Sequence, residues 1–257
     1  MKHVLFSLLC LLTLTAHAQE THVIEPADLE VRYVAYYEGE YLKTHGKLSN
    51  TFILRCGKTT AQYFCRESLW TDSLSSSPEG FHIWYEHKMA ELKRYENGGD
   101  RPTHLPDYGE WIYRTLSSNV TSTYRSMMGE GLVIRDSAQM NWKLVDDSTK
   151  SVLGYECHLA ETDFRGRHWK AWYTMDIPVS LGPWKLSGLP GLILAAEIPG
   201  LMNIKAYKIA TKNLTPVTFY NYFDKKFTDI PFDKYLRKRD TVRYPKGTLL
   251  SPQLELK

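Results

Sequence analysis

The sequence has few long apolar stretches, little net charge and few cysteines. Each of these features argues against a particular class of protein or partner. Beyond its first residues, no segment approaches the roughly 20 apolar residues that a membrane-spanning helix requires. An integral membrane protein is therefore not expected. The formal net charge is only +3 over 257 residues. So small a positive charge gives no electrostatic reason to expect a nucleic-acid partner.

Of the four cysteines, three follow the N-terminal apolar stretch: Cys56, Cys65 and Cys157. An odd number leaves at least one thiol unpaired, even in an oxidising compartment. Cys56 and Cys65 flank a predicted hairpin turn, where a disulfide would need a longer or slipped loop, and the sequence leaves this pairing open. No CxxC or HxxxH spacing occurs, so neither a metal nor a cofactor is expected.

Recognisable catalytic motifs are also missing. The chain has no GxSxG, no HExxH and no phosphate-binding glycine loop. His158 and His168 lie on neighbouring predicted strands, and Glu156 and Asp176 are near them in the sequence. This grouping suggests hydrolysis, although solvent-exposed histidines are far commoner than such sites. The sequence leaves enzymatic activity undecided and favours a non-enzymatic role.

The N-terminus has the three regions of a secretory signal peptide. Lys2 gives a positive start, Val4–Leu14 is mostly apolar, and Ala16–Ala18 supplies the small-x-small pattern that a signal peptidase recognises. We therefore expect residues 1–18 to be removed by cleavage between Ala18 and Gln19. Residues 19–257 are then predicted to form a single domain outside the cytoplasm.

Aromatic residues make up 13% of the chain, with 17 tyrosines and 7 tryptophans, and such residues favour strands. Periodicity and flanking turn residues predict strands at Val31–Tyr37, Thr51–Cys56, Ala61–Arg66, Met140–Val145, Val152–Ala160, Leu192–Ala196 and Met202–Lys212. Helices are predicted at Lys88–Glu96, near Phe232–Lys238 and over the short segment Trp111–Leu116. Asp72–Gly80 is predicted to be a loop, and Asp146–Ser148 a turn. The expected fold class is mainly β with a few short helices.

Two central segments alternate between apolar and polar residues. In Ser151–Glu161, Cys157 falls on the apolar side and His158 on the polar side, which predicts a buried and inert thiol. In His168–Ile177 the odd positions are apolar, and Trp172 is the exception on the polar side. Either another element covers Trp172, or its ring lines a ligand surface.

One string of six residues is distinctive: GLPGLI, formed by Gly188, Leu189, Pro190, Gly191, Leu192 and Ile193. It is preceded in order by Gly154–Cys157, Phe164–Arg167, Ala171–Thr174 and Ile177–Pro178. This series, from about Gln139 to Ile198, resembles the GLPGLI family of Bacteroidota, also called the Porph_ging family. The resemblance implies an exported protein of the periplasm. It also implies a curved antiparallel sheet or half-barrel, similar to periplasmic lipid or lipoprotein carriers.

The segment Gly182–Leu194 contains prolines, which fix the backbone φ angle, and glycines, which allow conformations closed to other residues. Such a pattern is typical of an architectural corner that leads into a buried strand. The alternative is a ligand or partner loop with Trp184 exposed as an aromatic anchor. Arg165 and Arg167 flank a predicted turn, where they either face solvent or clamp an anion. Together with Trp172 and Trp184 they form the candidate ligand or partner surface.

These features favour a periplasmic binding or carrier protein, in which a curved sheet presents an apolar groove. A lipid, a peptide or an outer-membrane protein is the expected partner. The alternatives are an accessory subunit of an outer-membrane receptor and an exported hydrolase built on the grouping around His158 and His168. Analogy at the level of the fold does not decide between them.

Overall fold

The computed structural model describes residues 21–39, 49–98, 109–243 and 253–257. The predicted signal peptide and its cleavage between Ala18 and Gln19 lie outside the described residues. Within the described ranges, none of the helices is long and apolar enough to cross a membrane.

Strands dominate the described part of the chain. They are β1 (His22–Glu25), β2 (Leu29–Tyr37), β3 (Ser49–Cys56), β4 (Thr60–Cys65), β5 (Trp111–Thr115), β6 (Val120–Met127), β7 (Glu130–Asp136), β8 (Lys143–Val152), β9 (Tyr155–Phe164), β10 (Arg167–Thr174), β11 (Leu192–Ile198), β12 (Met202–Ala210), β13 (Val217–Phe219) and β14 (Phe227–Ile230). The helices are α1 (Arg66–Ser75), α2 (Pro78–Glu96) and α3 (Phe232–Thr241). The predicted fold class, mainly β with a few short helices, is confirmed.

Twelve of these strands form one open sheet in the order β14-β7-β6-β5-β4-β3-β2-β12-β11-β10-β9-β8. All neighbouring pairs are antiparallel except β14 and β7, which are parallel. A second sheet contains only β1 and β13. The large sheet does not close on itself, which confirms the predicted curved antiparallel architecture.

One side of the large sheet, called the inner face below, is almost wholly apolar. Alternate residues of β2 from Val31 to Tyr37 are 0 to 3% exposed. Trp169, Ala171 and Tyr173 of β10 lie on the same side and are equally buried, as their odd spacing predicted. A period of two places every second side chain on one side of a strand, so these residues form the core.

The predicted turn at Asp146–Ser148 is wrong. These residues lie inside β8, where the register with β9 shifts between Val145 and Thr149, as in a β-bulge. The turn follows at Leu153 and Gly154, whose φ angles of +55° and +85° reverse the chain. The same turn-forming residues occur in β-bulges and in hairpin turns, so composition alone does not distinguish the two.

The pairing of β9 with β10 corrects the predicted assignment of their residues to the two faces of the sheet. Leu159 lies opposite Trp172, so both belong to the outer face, and His158 lies opposite Tyr173 on the inner face. Cys157 is fully buried, as predicted, and burial raises the pKa of its thiol. Trp172 is half-buried, with Lys150 Nζ of β8 4.1 Å from its ring centre. Another element therefore covers Trp172.

Cys56 and Cys65 are both free thiols, which settles the pairing that the sequence left open. In the β3–β4 hairpin, Cys56 lies opposite Ala61, and Cys65 lies opposite Phe52. Burial raises the pKa of Cys56 to about 11 and that of Cys65 to about 12. Neither sulfur is a reactive thiolate near neutral pH.

Two segments adopt a different structure from the one predicted. Asp72–Gly80 is not a loop but contains the end of α1 and the start of α2. The Ser77 hydroxyl caps α2 by accepting from Gly80 N at 3.1 Å, and Pro78 occupies the first helical turn. Serine and proline are common at a helix start as well as in loops. Trp111–Leu116 is not a helix, because Trp111 begins strand β5 between β4 and β6.

Residues 181–189, called the motif loop below, fold over the inner face between β10 and β11. Trp184 is buried there and stacks on Trp169, with ring centres 5.3 Å apart. Leu186 and Leu189 are also buried, and the Lys185 carbonyl accepts from Arg114 Nη2 at 2.9 Å. The motif loop thus ties β10 and β11 to β5 across the sheet.

Charged groups and a helix complete the cover of the inner face. Lys185 Nζ lies 2.6 Å from Glu255 Oε1, and both side chains are buried. At the other end of the sheet, Tyr235 of α3 packs with Leu132 and Ile134 of β7. The motif loop and α3 therefore lie on the face where the sequence predicted an apolar groove for a ligand.

Gly191→Ala is expected to lower the free energy of unfolding by about 3 kcal/mol or more, because overpacking against backbone is costly. A Cβ at this position would lie 1.9 Å from the Thr174 carbonyl oxygen. Gly188→Ala is the matched control in the same motif. Its φ of +93° strains any side chain, but the nearest atom is 3.7 Å away, so about 1 to 2 kcal/mol is expected. Urea unfolding compares the two, and equal losses would contradict the close approach at Gly191.

Candidate functional site

The four residues predicted as a ligand or partner surface do not form one. Trp184 is only 7% exposed, and its ring packs against Trp169 and Phe164 on the inner face. The interpretation of Trp184 as an exposed anchor is wrong, and the architectural interpretation accounts for it. Trp172 lies on the outer face, on the opposite side of the sheet.

Arg165 and Arg167 hold other parts of the chain in place. Arg165 pairs with Asp136, and its guanidinium lies over the Phe232 ring at 3.6 Å from the ring centre. Arg167 donates from Nη2 to the Gln253 carbonyl oxygen at 2.6 Å. Both guanidinium groups are therefore engaged in structural contacts, and the two do not clamp a common anion site.

The two histidines that suggested a hydrolytic site lie far apart in the sheet. His158 lies opposite Tyr173, whereas His168 lies opposite Asp163. Five residues separate these positions along β10, which corresponds to about 17 Å, and an odd separation places the two rings on opposite faces. Catalysis requires hydrogen-bond reach or one bridging water. The histidines therefore do not form a common catalytic site.

A cleft of about 740 Å³ lies on the α1–α2 hairpin and is called the hairpin cleft below. Helix α1 packs against β3 and β4, and α2 folds back along α1. The cleft is lined by Arg66, Glu67, Ser68, Trp70, Thr71, Asp72, Trp84, His87, Lys88, Met89, Glu91, Leu92 and Gly109. Small-molecule sites usually have about this volume and combine apolar walls with a few polar groups.

Trp84 lines the hairpin cleft, and its indole carries a buried hydrogen-bond donor. Its Nε1 atom is buried and has no hydrogen-bond partner among the described residues. A buried donor without a partner costs free energy, so an acceptor placed there by a ligand would be favourable. Trp70 supplies a second indole and contacts the His87 ring edge-on, with centres 5.0 Å apart.

Asp72 connects the hairpin cleft to a second cavity of about 210 Å³ beside it. The second cavity is lined by Asp72, Gly109, Trp111, Arg125, Ser126, Tyr220, Asn221, Tyr222, Phe223, Lys225 and Phe227. Burial raises the pKa of Asp72 to about 6, against a smaller opposing effect of Lys225. A carboxyl group with such a pKa changes charge near neutral pH, at the junction of the two cavities.

Sequence reasoning missed the hairpin cleft because Asp72–Gly80 was predicted to be a loop, which separated α1 from α2. One signal was available. Ser77 and Pro78 form a helix start, and aromatic residues recur at helical spacing after them, at Phe81, Trp84 and Tyr85.

The fold and the cleft define a mainly β protein with an open sheet and a ligand-sized cleft on a helical hairpin. The model of the Porph_ging family, described as a protein of unknown function, matches residues 161–195 of this chain. This match confirms the family resemblance in the sequence, and its span includes Gly188–Ile193. A comparison with curated protein sequences found no match.

Two crystal structures of PNGF-II share the fold at low sequence identity. PNGF-II in its P21 crystal form superposes with a TM-score of 0.53 and 18% identity, covering 83% of this chain and 33% of PNGF-II. The C2 form gives a TM-score of 0.52 and 17% identity, with 83% and 32% coverage. The chain thus spans about a third of the length of PNGF-II. A DUF1329 family protein from Desulfovibrio piger matches with a TM-score of 0.29 and 11% identity, covering 74% of this chain and 88% of that protein.

Asp72→Asn is expected to change how stability depends on pH. The folded chain holds the Asp72 proton more tightly than the unfolded chain, whose pKa is near the usual 3.8. Stability is therefore lost as pH rises from about 4 to about 6, and the substitution removes this loss. The free energy of unfolding of Asp72→Asn should exceed that of the native chain by about 2 kcal/mol at pH 8, and the two should converge near pH 4.

Urea unfolding at several pH values measures this difference. Asp163→Asn is the matched control, because the Asp163 side chain is 87% exposed and only a few tenths of a kcal/mol are expected at any pH. A pH-independent difference for Asp72→Asn would contradict the raised pKa.

Proposed function

We propose that this chain is an exported, non-enzymatic binding or carrier protein, and that the hairpin cleft binds an apolar small molecule with a hydrogen-bond acceptor. The observation that carries the proposal is the cleft itself: about 740 Å³, lined in part by Trp84, whose buried Nε1 has no hydrogen-bond partner among the described residues. A lipid-like chain with an oxygen near one end has this chemistry.

The walls of the cleft support an apolar ligand. Trp70, Met89 and Leu92 line the cleft and are 38 to 45% exposed overall, which is much for large apolar side chains. Covering one such side chain contributes about 1.5 to 3 kcal/mol when burial is complete. The polar lining groups are partly matched among themselves, as in the Lys88–Glu91 pair at 2.9 Å.

An envelope location fits the proposal. Residues 1–18 have the regions of a secretory signal, and the GLPGLI series resembles exported proteins of Bacteroidota. We therefore infer that the chain acts in the periplasm. A carrier in that compartment would shield an apolar molecule from water.

Dodecanol is the probe for this function. We expect it to bind the chain that starts at residue 19 with a saturable change in tryptophan fluorescence, because Trp70 and Trp84 line the cleft. Leu92→Asp should weaken binding by about 10-fold or more, since it replaces apolar wall with a charge.

Ile83→Asp is the matched control. Ile83 is exposed on the same helix but does not line the cleft, so this variant should bind dodecanol as the native chain does. Trp84→Phe keeps an aromatic ring but removes the N–H donor, and it should prefer dodecane over dodecanol relative to the native chain. Absence of saturable binding, or equal loss in Leu92→Asp and Ile83→Asp, would refute the proposal.

A further inference from the structure

Residues 253–257, called the strap below, lie across the surface of the chain without forming a helix or a strand. Glu255 is the one buried residue among these five, Leu254 is half-buried against the core, and Leu256 is 43% exposed. The strap therefore adds little apolar area to the core. It is held mainly by polar contacts with other elements.

The carboxylate of Glu255 occupies a pocket around Lys185 of the motif loop. Oε1 of Glu255 lies 2.6 Å from Lys185 Nζ, and only 3% of the lysine side chain is exposed. The rings of Trp184 and Phe232 have their centres 5.5 and 5.9 Å from the same Nζ. A charge buried among such rings is strongly unfavourable without a counter-charge. Any segment that fills this pocket must therefore bring an acidic side chain.

Main-chain groups of the strap are bound on both sides of the glutamate. The Leu256 N–H donates to the Arg165 carbonyl oxygen at 2.8 Å. The Gln253 carbonyl oxygen accepts from Arg167 Nη2 at 2.6 Å. Hydrogen bonds to the main chain, combined with a pocket for one side chain, are the contacts by which proteins recognise extended peptides.

Two further contacts fit the strap closely. Arg239 Nη1 of α3 donates to the Glu255 carbonyl oxygen at 2.5 Å. A Cβ at Gly166 would lie 2.8 Å from the Cβ of Leu256, so a larger residue there would push the strap away. The φ of +75° at Gly166 already favours glycine in the β9–β10 turn, and the strap gives a second reason for it.

The groups that receive the strap are positioned by contacts in which the strap takes no part. The Lys185 carbonyl accepts from Arg114 Nη2 at 2.9 Å, and Arg165 pairs with Asp136. Tyr235 anchors α3 on β7. The rest of the fold thus assembles this surface, and departure of the strap would leave a buried ammonium group that requires a new carboxylate.

We propose that this surface is a peptide-binding site for an extended segment with a glutamate between two leucines, and that the strap is its tethered ligand. The site, called the strap site below, consists of Arg165, Gly166, Arg167, Lys185 and Arg239. Tethering gives a ligand a local concentration on the order of millimolar, so the strap competes with any peptide from outside. The proposal does not rest on the hairpin cleft, which these five residues do not line.

A fluorescein-labelled peptide of sequence Gln-Leu-Glu-Leu-Lys tests the proposal, with the chain that starts at residue 19. Glu255→Lys releases the strap, because it places a second ammonium group beside Lys185. The peptide should bind this variant about 10-fold or more tightly than it binds the native chain, where the strap competes. Fluorescence anisotropy measures both dissociation constants.

Two controls separate recognition from a general effect of charge. Asp163→Lys makes the same charge change at a side chain that is 87% exposed, and this variant should bind the peptide as weakly as the native chain does. A peptide with glutamine in place of glutamate should bind Glu255→Lys about 10-fold or more weakly than the original peptide, because Lys185 then lacks a carboxylate.

Several results would overturn the proposal. A Glu255→Lys chain without a cooperative urea transition would show that the strap is an integral part of the core. No saturable binding to Glu255→Lys, equal binding to Glu255→Lys and Asp163→Lys, or equal binding of the two peptides would refute recognition by the strap site. Dodecanol should bind Glu255→Lys as it binds the native chain, and its failure to bind either would count against the hairpin cleft alone.

Discussion

The stacking of Trp184 on Trp169, together with the buried pair of Lys185 and Glu255, is the contact on which the rest of the structure depends. An open sheet has an apolar face that must be covered, and the motif loop supplies this cover. Removing one partner of a buried ion pair typically costs about 3 to 5 kcal/mol, because the remaining charge stays buried and unpaired.

Because the inner face is closed in this way, the sheet itself offers no groove along the motif loop. The open apolar surface lies instead on the α1–α2 hairpin, which is attached to β3 and β4. Helices at an edge of the core can expose apolar side chains without opening the core to water.

Much of the sheet could be predicted from the sequence, since period two and buried apolar runs such as Leu192–Ala196 are local signals. The family resemblance could be predicted from Gly188–Ile193 and the segments before it, and a family model matches residues 161–195. The site could not be predicted, because it depends on how distant elements meet. Trp184 is exposed or buried according to what the motif loop packs against, and Asp72–Gly80 has residues that suit a loop and a helix cap equally well.

The central claim is that the hairpin cleft, not the sheet, receives the ligand. A crystal structure with dodecanol brominated at its terminal carbon tests this claim most directly, because anomalous scattering locates the bromine without prior phases. We predict the bromine between the two helices, in contact with Trp70, Trp84 or Leu92, with the motif loop still packed on Trp169. Bromine on the inner face of the sheet, with Trp184 displaced, would contradict it.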